Sequence, residues 1–269
     1  NILRKTMIQS PKNDFLDTAL KAAKSAAHLI QHSTKNYVTN YKSETDLVTK
    51  TDIESEKIIS DIIRSKFPGH GILAEESGLD DDKTTDFVWV VDPLDGTTNF
   101  VHNYPSYGVS IALLEKGSPI IGVVVELPAM NVYHATDETH SYCNDEKIHV
   151  STNKKLIQSL LVTGFGYEHG SNWKKNMRLF QEFTDVTQGV RRLGAAAVDL
   201  CHVACGKVDG FWEFDLNPWD VSAGILIVER AGGKIRKMNG DKYSIYDNQI
   251  MATNGHINEE MIKVFKDII

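Results

Sequence analysis

Cysteine is scarce in this sequence, which contains three among 269 residues. They are Cys143, Cys201 and Cys205, and no Cys-x-x-Cys pair occurs. An odd number of cysteines cannot all be paired within one chain, which argues against a disulfide framework. Cys201 and Cys205 lie in the apolar stretch 194–206, where thiols act as small hydrophobic side chains. The sequence therefore predicts a protein of a reducing compartment.

Long hydrophobic runs and an excess of positive charge are also missing. No apolar run reaches the roughly 18 residues that cross a bilayer, and residues 1–14 lack the apolar core of a signal peptide. The 29 Lys and Arg residues stand against 36 Asp and Glu residues, which gives a net charge of −7. No overall positive field would attract nucleic acid or anionic lipid. We therefore expect a cytoplasmic protein that binds neither nucleic acid nor a membrane.

Neither an internal repeat nor a low-complexity linker divides the chain. We expect residues 1–269 to form a single domain, with an N-terminal half of about 14–150 and a C-terminal half of about 151–269. A layered arrangement of sheets between helices is the economical way to bury apolar faces in such a chain.

Hydrophobic periodicity locates most of the expected elements. A helix is predicted to begin near Thr51, with Glu54 completing a capping box, and to end at Pro68. The other predicted helices span 14–32, 172–183, 194–205, 218–230 and 257–268, and the predicted strands span 87–92, 107–115, 119–126, 131–136, 156–164, 208–214 and 250–254.

The strongest local signal is the acidic segment 92–97 (DPLDGT), which directly follows a predicted strand. Asp92 and Asp95, three apart in a tight turn, can face one point and bridge two cations. Gly96 and Thr97 could open a helix whose free N–H groups accept a phosphate. The alternative is a solvent-exposed turn in which an aspartate caps a helix.

Carboxylates stand at three other predicted element boundaries. Glu75 ends a strand-like apolar run, Asp52 lies at the start of a helix, and Asp220 opens a helix that Asn217 could cap. Stabilisation of the helix dipole is the alternative role for Asp52 and Asp220. Oxygen ligands of this kind suit Mg²⁺, which keeps several of its waters. The histidines are dispersed, so no zinc site is predicted.

Three other phosphate chemistries are checked by spacing. No cysteine is followed by the arginine of a Cys-x5-Arg nucleophile loop, and no GxxxxGK phosphate loop occurs. Residues 80–84 (DDDKT) fit the DxDxT pattern of aspartyl-phosphate enzymes, but no buried strand precedes them. We interpret this stretch as an exposed acidic loop, so no nucleophile on the protein is predicted.

The acidic segments together resemble the inositol monophosphatase family. Residues 89–102 (WVVDPLDGTTNFVH) are similar to its first signature and residues 219–233 to its second. Residues 47–52 (LVTKTD) and 74–77 (AEES) resemble two further family motifs, in the family's order. The correspondence covers about residues 42–233. Ala74 stands where glycine usually precedes the glutamates and Ser222 where alanine is more usual, but neither change removes a ligand.

The resemblance implies a layered αβαβα sandwich of the inositol monophosphatase and fructose-bisphosphatase type. It also implies a cluster of two or three Mg²⁺ ions, with Mn²⁺ as a substitute. Glu75, Asp92 and the Leu94 carbonyl would hold one ion, and Asp92, Asp95 and Asp220 a second. Glu75 with waters would hold a third. Ions about 3.5–4 Å apart can clamp the entering and leaving oxygens of an in-line displacement.

The resemblance further assigns the catalytic and substrate-binding residues. Asp52 and Thr97, with Glu75, would be the catalytic residues, because Thr97 hydrogen-bonded to Asp52 would orient the attacking water. The phosphate would lie on the N–H groups of Gly96 and Thr97. Substrate hydroxyls would be bound by Gly194, Ala195, Ala196 and Glu213, with Asp95 and Asp220. An exposed acid at a strand end is the alternative for Glu213.

The resemblance implies that the small-molecule substrate is a phosphate monoester, with inositol monophosphate as the default. Relatives of similar pattern act on NADP(H), fructose 1,6-bisphosphate or 3′-phosphoadenosine 5′-phosphate, and the loops around 33–45 and 164–172 would separate these activities. The resemblance also implies lithium sensitivity and a homodimer. An alternative of another class is an interaction protein that keeps the fold without catalysis. The complete set of acidic residues argues against it.

Overall fold

The computed structural model describes residues 11–33, 39–41, 47–79, 85–166 and 169–269. Its helices are α1 (Pro11–His32), α2 (Lys50–Lys66), α3 (Thr97–Val101), α4 (Ser171–Val186), α5 (Ala196–Ala204), α6 (Pro218–Arg230) and α7 (Asn258–Lys266). Its strands are β1 (Thr39–Tyr41), β2 (Leu47–Thr49), β3 (Gly71–Ala74), β4 (Gly78–Leu79), β5 (Phe87–Asp95), β6 (Tyr107–Glu115), β7 (Ser118–Leu127), β8 (Asn131–Thr136), β9 (Tyr142–Cys143), β10 (Glu146–Lys147), β11 (Leu160–Thr163), β12 (Gly189–Arg191), β13 (Gly210–Phe214), β14 (Lys234–Arg236) and β15 (Gln249–Thr253). The acidic loop 80–84 and most of 33–45 lie outside the described residues.

Two mixed sheets form the framework. The larger one has eight strands in the order β10-β9-β8-β7-β6-β5-β3-β4, and the smaller one has five in the order β12-β11-β13-β15-β14. In the larger sheet β5, β6, β7 and β8 form an antiparallel meander, while β3 lies parallel to β5. The parallel pair matters for the site because both of its strands end at the same edge of the sheet.

Alternate residues of the central strands face two different cores. Trp89 and Val91 of β5 pack with α1 and α2 on one face of the larger sheet, whereas Val90 packs with α5 and α6 on the other. The smaller sheet contributes Phe211 to this shared core, and its opposite face packs against α4 and α7. The layers are therefore helix, sheet, helix, sheet, helix. The predicted αβαβα sandwich is confirmed.

Most of the expected elements are present, with local differences. Helix α2 begins at Lys50 and its capping box joins Thr49 to Asp52, so the predicted box from Thr51 to Glu54 is wrong. The cause is that the Thr49 side chain accepts a hydrogen bond from Thr51 N–H. The predicted strand over 156–164 is shorter, because a 3₁₀ turn at Leu156–Gln158 precedes β11. No helix of the described chain is long and apolar enough to cross a membrane.

Candidate active site

Glu75 and Asp92 are brought side by side by the parallel pairing of β3 and β5. Ala74 is the register partner of Val91, so the residues that follow each of them occupy neighbouring positions. The backbone N–H of Glu75 donates to the Val91 carbonyl at 3.2 Å, which continues the pairing past the end of β3. The two predicted metal ligands therefore meet at the carboxyl end of this pair of strands.

Strand β5 continues through the acidic segment to Asp95 with an irregularity between its two aspartates, so the tight turn predicted there is wrong. The Leu94 N–H donates to Asp92 Oδ1 at 3.0 Å, and the strand register shifts between Asp92 and Asp95. Gly96 follows with φ of 82°, a left-handed conformation that side chains rarely adopt. A Cβ atom on Gly96 would lie 3.0 Å from the Ser106 carbonyl oxygen. Glycine is therefore required here by both conformation and space, and it begins the short helix α3.

Asp52 holds the hydroxyl of Thr97 at the start of α3. Asp52 Oδ1 accepts from Thr97 Oγ1 at 2.8 Å, and its Oδ2 accepts from the Thr49 N–H at 2.9 Å and from the Thr49 hydroxyl. Burial raises the pKa of Asp52, while the hydrogen bonds from Thr49 and Thr97 oppose that shift. Asp52 therefore both caps α2 and orients Thr97. Thr97 Oγ1 also lies 3.1 Å from the Leu94 carbonyl oxygen.

The start of α6, which carries Asp220, contacts strand β6 beside the aspartate segment. Ser110 is the register partner of Asp92, and its hydroxyl donates to the Trp219 carbonyl at 3.3 Å. This contact places the first turn of α6 beside the aspartate segment. Asp220 Oδ2 accepts from the Asn217 N–H at 2.7 Å, so the capping role considered from the sequence is also present.

The loop before α5 is fixed to the same segment by two side chains. Asp95 Oδ2 accepts from the Ala197 N–H at 2.8 Å, at the N-terminus of α5. Asn99 Nδ2 donates to the Leu193 carbonyl at 2.7 Å and to the Ser106 carbonyl at 2.6 Å. Gly194 and the two alanines that follow therefore lie against the aspartate segment, although about 100 residues separate them in sequence.

Four acidic residues interact electrostatically at this point. Burial raises the pKa of Asp92 well above its usual range, and the charges of Glu75, Asp95 and Asp220 raise it further. Burial also raises the pKa of Asp95 to about 7, although the backbone N–H groups at the start of α5 oppose the shift. Crowded carboxylates of this kind are stabilised by a cation that shares their charge.

The oxygen atoms that could act as metal ligands at this point suit a hard divalent cation. They are carboxylate oxygens and a carbonyl oxygen, which are the ligands that Mg²⁺ prefers. Within the described parts of the chain, no three His, Cys, Asp or Glu side chains are already arranged around a single point as a metal site. Mg²⁺ does not need such a cage, because it is commonly bound through one or two carboxylates and retains waters.

The acidic cluster predicts how the stability of the metal-free protein depends on pH. An unfolded aspartate ionises near pH 4, whereas Asp95 in the folded state keeps its proton up to about pH 7. Between these values the folded state binds more protons, so the free energy of unfolding falls as pH rises. We expect the Tm in the presence of a chelator to be higher at pH 5 than at pH 8. Saturating Mg²⁺ should raise the Tm more at pH 8 than at pH 5.

Thermal unfolding of wild type and Asp95→Asn from pH 5 to 8 tests this expectation. The variant lacks the carboxyl group, so its pH dependence in chelator should be flatter. An unchanged slope in the variant would contradict the assignment of the effect to this cluster.

Glu213 is buried at the end of β13, with 7% of its surface exposed. The exposed strand-end alternative is therefore wrong. A Cβ atom at Gly164 would lie 2.2 Å from Glu213 Oε1, so the carboxylate packs directly on the glycine backbone. Burial raises the pKa of Glu213 well above its usual range, Asp220 raises it further, and Arg192 opposes the shift. Glu213 thus lies within electrostatic range of the acidic cluster.

Asp199 and Arg192 were not predicted as site residues. Asp199 on α5 is fully buried, and neither of its carboxylate oxygens has a hydrogen-bond partner in the described part of the chain. Burial raises the pKa of Asp199 well above its usual range, and Glu213 and Asp95 raise it further, while Arg192 lowers it. The available signal was an acid inside the apolar stretch 194–206, where a charged side chain is otherwise costly.

Comparisons with known proteins agree with this geometry. The model of the inositol monophosphatase family matches residues 12–269. The Arabidopsis thaliana phosphatase IMPL1, a chloroplastic protein, is 45% identical over 255 residues, which are 92% of this chain and 69% of that protein. A putative Nus factor SuhB of Neisseria meningitidis serogroup B is 38% identical over 94% of this chain and 98% of its own length.

A solved structure shares the whole fold. The inositol monophosphatase of Anabaena (Nostoc) sp. PCC 7120 superposes with a TM-score of 0.85 at 38% identity, covering 97% of this chain and 98% of its own. The sandwich and the cluster of acidic residues at strand ends define a phosphoric monoester hydrolase. The chain belongs to the inositol monophosphatase family.

Proposed function

We propose that this protein hydrolyses a small phosphate monoester in a Mg²⁺-dependent reaction, with myo-inositol monophosphate as the preferred substrate. The observation that supports this most is the buried Asp92, on which the charges of Glu75, Asp95 and Asp220 converge. Thr97, oriented by Asp52, lies in the same segment. A cation-binding group next to an oriented hydroxyl is what hydrolysis by water requires.

The proposed ligands follow the resemblance. Glu75, Asp92 and the Leu94 carbonyl would hold one ion, and Asp92, Asp95 and Asp220 a second. Glu75 would also contribute to a third, and Mn²⁺ is a proposed substitute. Bound Mg²⁺ supplies a Lewis acid for the phosphate oxygens and a water of lowered pKa.

The protein's own groups position the reactants. The hydroxyl of Thr97 has one proton, which Asp52 accepts, so its oxygen retains lone pairs that can hold the proton of a water. Backbone N–H groups at Gly96 and Thr97 begin α3 and point away from its first turn, where a phosphate would be bound. Because positioning contributes much of the rate in phosphoryl transfer, no protein nucleophile is needed.

Binding of the substrate hydroxyls is assigned to Glu213 and to the loop before α5. Gly194, Ala195 and Ala196 would contribute backbone groups, together with Asp95 and Asp220. Glu213 is buried against Gly164, so its orientation is fixed by packing. A polyol that donates to this carboxylate favours its ionised form and gains charge-assisted hydrogen bonds.

A substrate panel tests the proposal. Phosphate release is measured with Mg²⁺ on inositol 1-phosphate, NADP⁺, fructose 1,6-bisphosphate and 3′-phosphoadenosine 5′-phosphate. We expect the highest kcat/KM for inositol 1-phosphate. A higher value for NADP⁺ would favour the second candidate, a 2′-phosphatase of NADP(H). Release from none of the four would overturn the proposal and favour an interaction protein, as the Nus factor name of one relative suggests.

Replacing Glu213 by glutamine should change substrate preference rather than chemistry. Loss of a hydrogen bond to a charged group costs about 1.5–3 kcal/mol, or roughly a tenfold to hundredfold loss in kcat/KM. We expect that loss for inositol 1-phosphate and little change for an aryl phosphate, which has no hydroxyl to donate. The exposed Glu146→Gln is the matched control. An equal loss of kcat/KM on both substrates would indicate that Glu213 acts in the chemical step or in the stability of the fold, and not in substrate preference.

Lithium inhibition is expected from the proposed second ion site. Li⁺ should inhibit in an uncompetitive or mixed manner with respect to substrate, because it would occupy the site formed by Asp92, Asp95 and Asp220 after catalysis and delay product release. Steady-state kinetics with Li⁺ measure this, and the inhibition should weaken in Asp220→Asn. Insensitivity to Li⁺ at tens of millimolar would contradict the lithium sensitivity predicted for this protein. The homodimer and the cytoplasmic location stay predictions.

A further inference from the structure

The loop before α5 lies in direct contact with the backbone of the aspartate segment. A Cβ atom on Gly96 would lie 3.2 Å from the Gly194 carbonyl oxygen and 3.2 Å from Ala195 Cβ. The two segments have different proposed tasks, since Gly96 would bind the phosphate and the loop would bind substrate hydroxyls. The distance between the segments therefore has to match the distance between the two ends of a bound substrate.

The side chain of Asn99 joins these segments. Its Nδ2 donates to the Ser106 carbonyl at 2.6 Å and to the Leu193 carbonyl at 2.7 Å, and it lies 3.4 Å from the Gly194 carbonyl oxygen. Because carbonyl oxygens only accept hydrogen bonds, the atom that contacts them has to be the amide nitrogen. Its two protons therefore link α3 to the segment before β6 and to the loop before α5.

The backbone of Asn99 is itself anchored. Its carbonyl accepts from the Tyr104 N–H at 2.8 Å, and the Tyr104 carbonyl accepts from the Ser106 N–H at 2.8 Å. The Phe100 N–H donates to the Gly96 carbonyl at 3.0 Å, which closes the first turn of α3. The amide of Asn99 therefore reaches the loop before α5 from a backbone that other hydrogen bonds hold in place.

Asn99 differs in kind from the other link between the same segments. Asp95 Oδ2 accepts from the Ala197 N–H at 2.8 Å, but Asp95 is also a proposed metal ligand, so a cation would share its oxygens. The amide of Asn99 is uncharged and has no such second task. Its hydrogen bonds hold the loop in the same place whether or not a cation is bound.

We propose that Asn99 is a positioning residue that fixes the loop before α5 at the distance from Gly96 that a polyol phosphate requires. The inference rests on the proposed function and adds a determinant of its substrate preference. Asn99 is assigned no contact with the reacting atoms and acts through Leu193 and Gly194. Without its donors, two carbonyl oxygens lose their hydrogen bonds and the loop can move away from the aspartate segment.

Asn99→Leu tests the proposal, because leucine keeps a similar size and removes both donors. We expect KM for inositol 1-phosphate to rise about tenfold, the effect of roughly one or two lost hydrogen bonds. KM and kcat for an aryl phosphate, which has no hydroxyl for the loop to bind, should stay unchanged. Asn99→Ser keeps one donor and should give a smaller rise.

Asn239→Leu is the matched control. Asn239 is exposed, and its Nδ2 donates to Asp241 Oδ2 at 2.8 Å, so the same chemical change is made far from the loop. Its kinetic constants should equal those of wild type on both substrates. An unchanged KM for inositol 1-phosphate in folded Asn99→Leu, or an equal rise in KM for both substrates, would overturn the proposal.

Hydrogen exchange of the full chain tests the link without turnover. Exchange in peptides that cover residues 189–200 is measured by mass spectrometry for wild type and for both Asn99 variants, so the serine variant serves if the leucine variant does not fold. We expect faster exchange in this loop and unchanged exchange in residues 107–127. Exchange as slow as in wild type would overturn the proposal. Absence of phosphate release from the wild-type protein would instead overturn the proposed function, and the exchange data would still decide whether Asn99 holds the loop.

Discussion

Asp92→Asn should lower kcat at least about a thousandfold while leaving the protein folded. Asp92 is shared by two of the three proposed ion sites, and its loss removes a charged ligand whose contribution through the cation amounts to about several kcal/mol. The side chain is buried among three other acidic residues, so the substitution also relieves repulsion in the metal-free state. We therefore expect the Tm in chelator to equal or exceed that of wild type, and the Mg²⁺-dependent rise in Tm to shrink.

Phosphate release and thermal unfolding are measured together for this variant. Asp86→Asn is the matched control, because Asp86 precedes the same strand at its opposite end and is exposed. The control should keep wild-type turnover and the wild-type response to Mg²⁺. Near-normal turnover of Asp92→Asn at saturating Mg²⁺ would contradict the assignment of Asp92 as a metal ligand. A large fall in Tm would show that the loss of activity comes from unfolding.

Thr97→Ala is the second substitution with a large expected effect. Positioning of an attacking water by a proton acceptor contributes about 10²–10⁴-fold, and Thr97 links that water to Asp52 through its 2.8 Å hydrogen bond. We expect kcat to fall within that range with little change in KM, because the backbone N–H groups that hold the phosphate remain. Steady-state kinetics on inositol 1-phosphate measure the two constants separately.

Thr97→Ser is the control that keeps the hydroxyl. It should retain most of the turnover, whereas Asp52→Asn should lower kcat as Thr97→Ala does and add little in the double variant. A rise in KM with unchanged kcat in Thr97→Ala would indicate that Thr97 binds substrate instead of orienting water. Equal losses in the serine and alanine variants would exclude a role for the hydroxyl.

The sequence was sufficient to predict the parts of the site that follow strand ends. Glu75 directly follows β3 and Asp92 follows the apolar residues 87–91 of β5, and parallel pairing places such residues at one edge of a sheet. The helix at Pro218–Arg230 was predicted with both of its bounds, because Asn217 and Pro218 are strong signals for a helix start. Local chemistry determines these features, so they can be inferred from short segments.

Features that depend on distant contacts could not be inferred in this way. The position of Asp220 depends on the hydrogen bond between Ser110 and Trp219, and no local pattern links those residues. The hydrogen bond between Thr97 and Asp52 likewise joins residues 45 positions apart in sequence. Residues that meet only through packing of one layer on another carry no such signal.

The same limit applies to the residues proposed to bind the substrate hydroxyls. The burial of Glu213 depends on Gly164 leaving room for its carboxylate, which only the packing of neighbouring strands reveals. Asp199 shows the reverse case, since an acid in an apolar helix was visible in the sequence but the pattern did not show what it faced.

The dependence of turnover on Mg²⁺ tests whether the acidic cluster holds the cations needed for hydrolysis. Phosphate release from inositol 1-phosphate is followed with the full chain after chelation and then across a Mg²⁺ titration, with Asp92→Asn in parallel. We expect no turnover after chelation, full recovery in wild type as Mg²⁺ is added, and no recovery in the variant. Turnover that persists unchanged in excess chelator would contradict it.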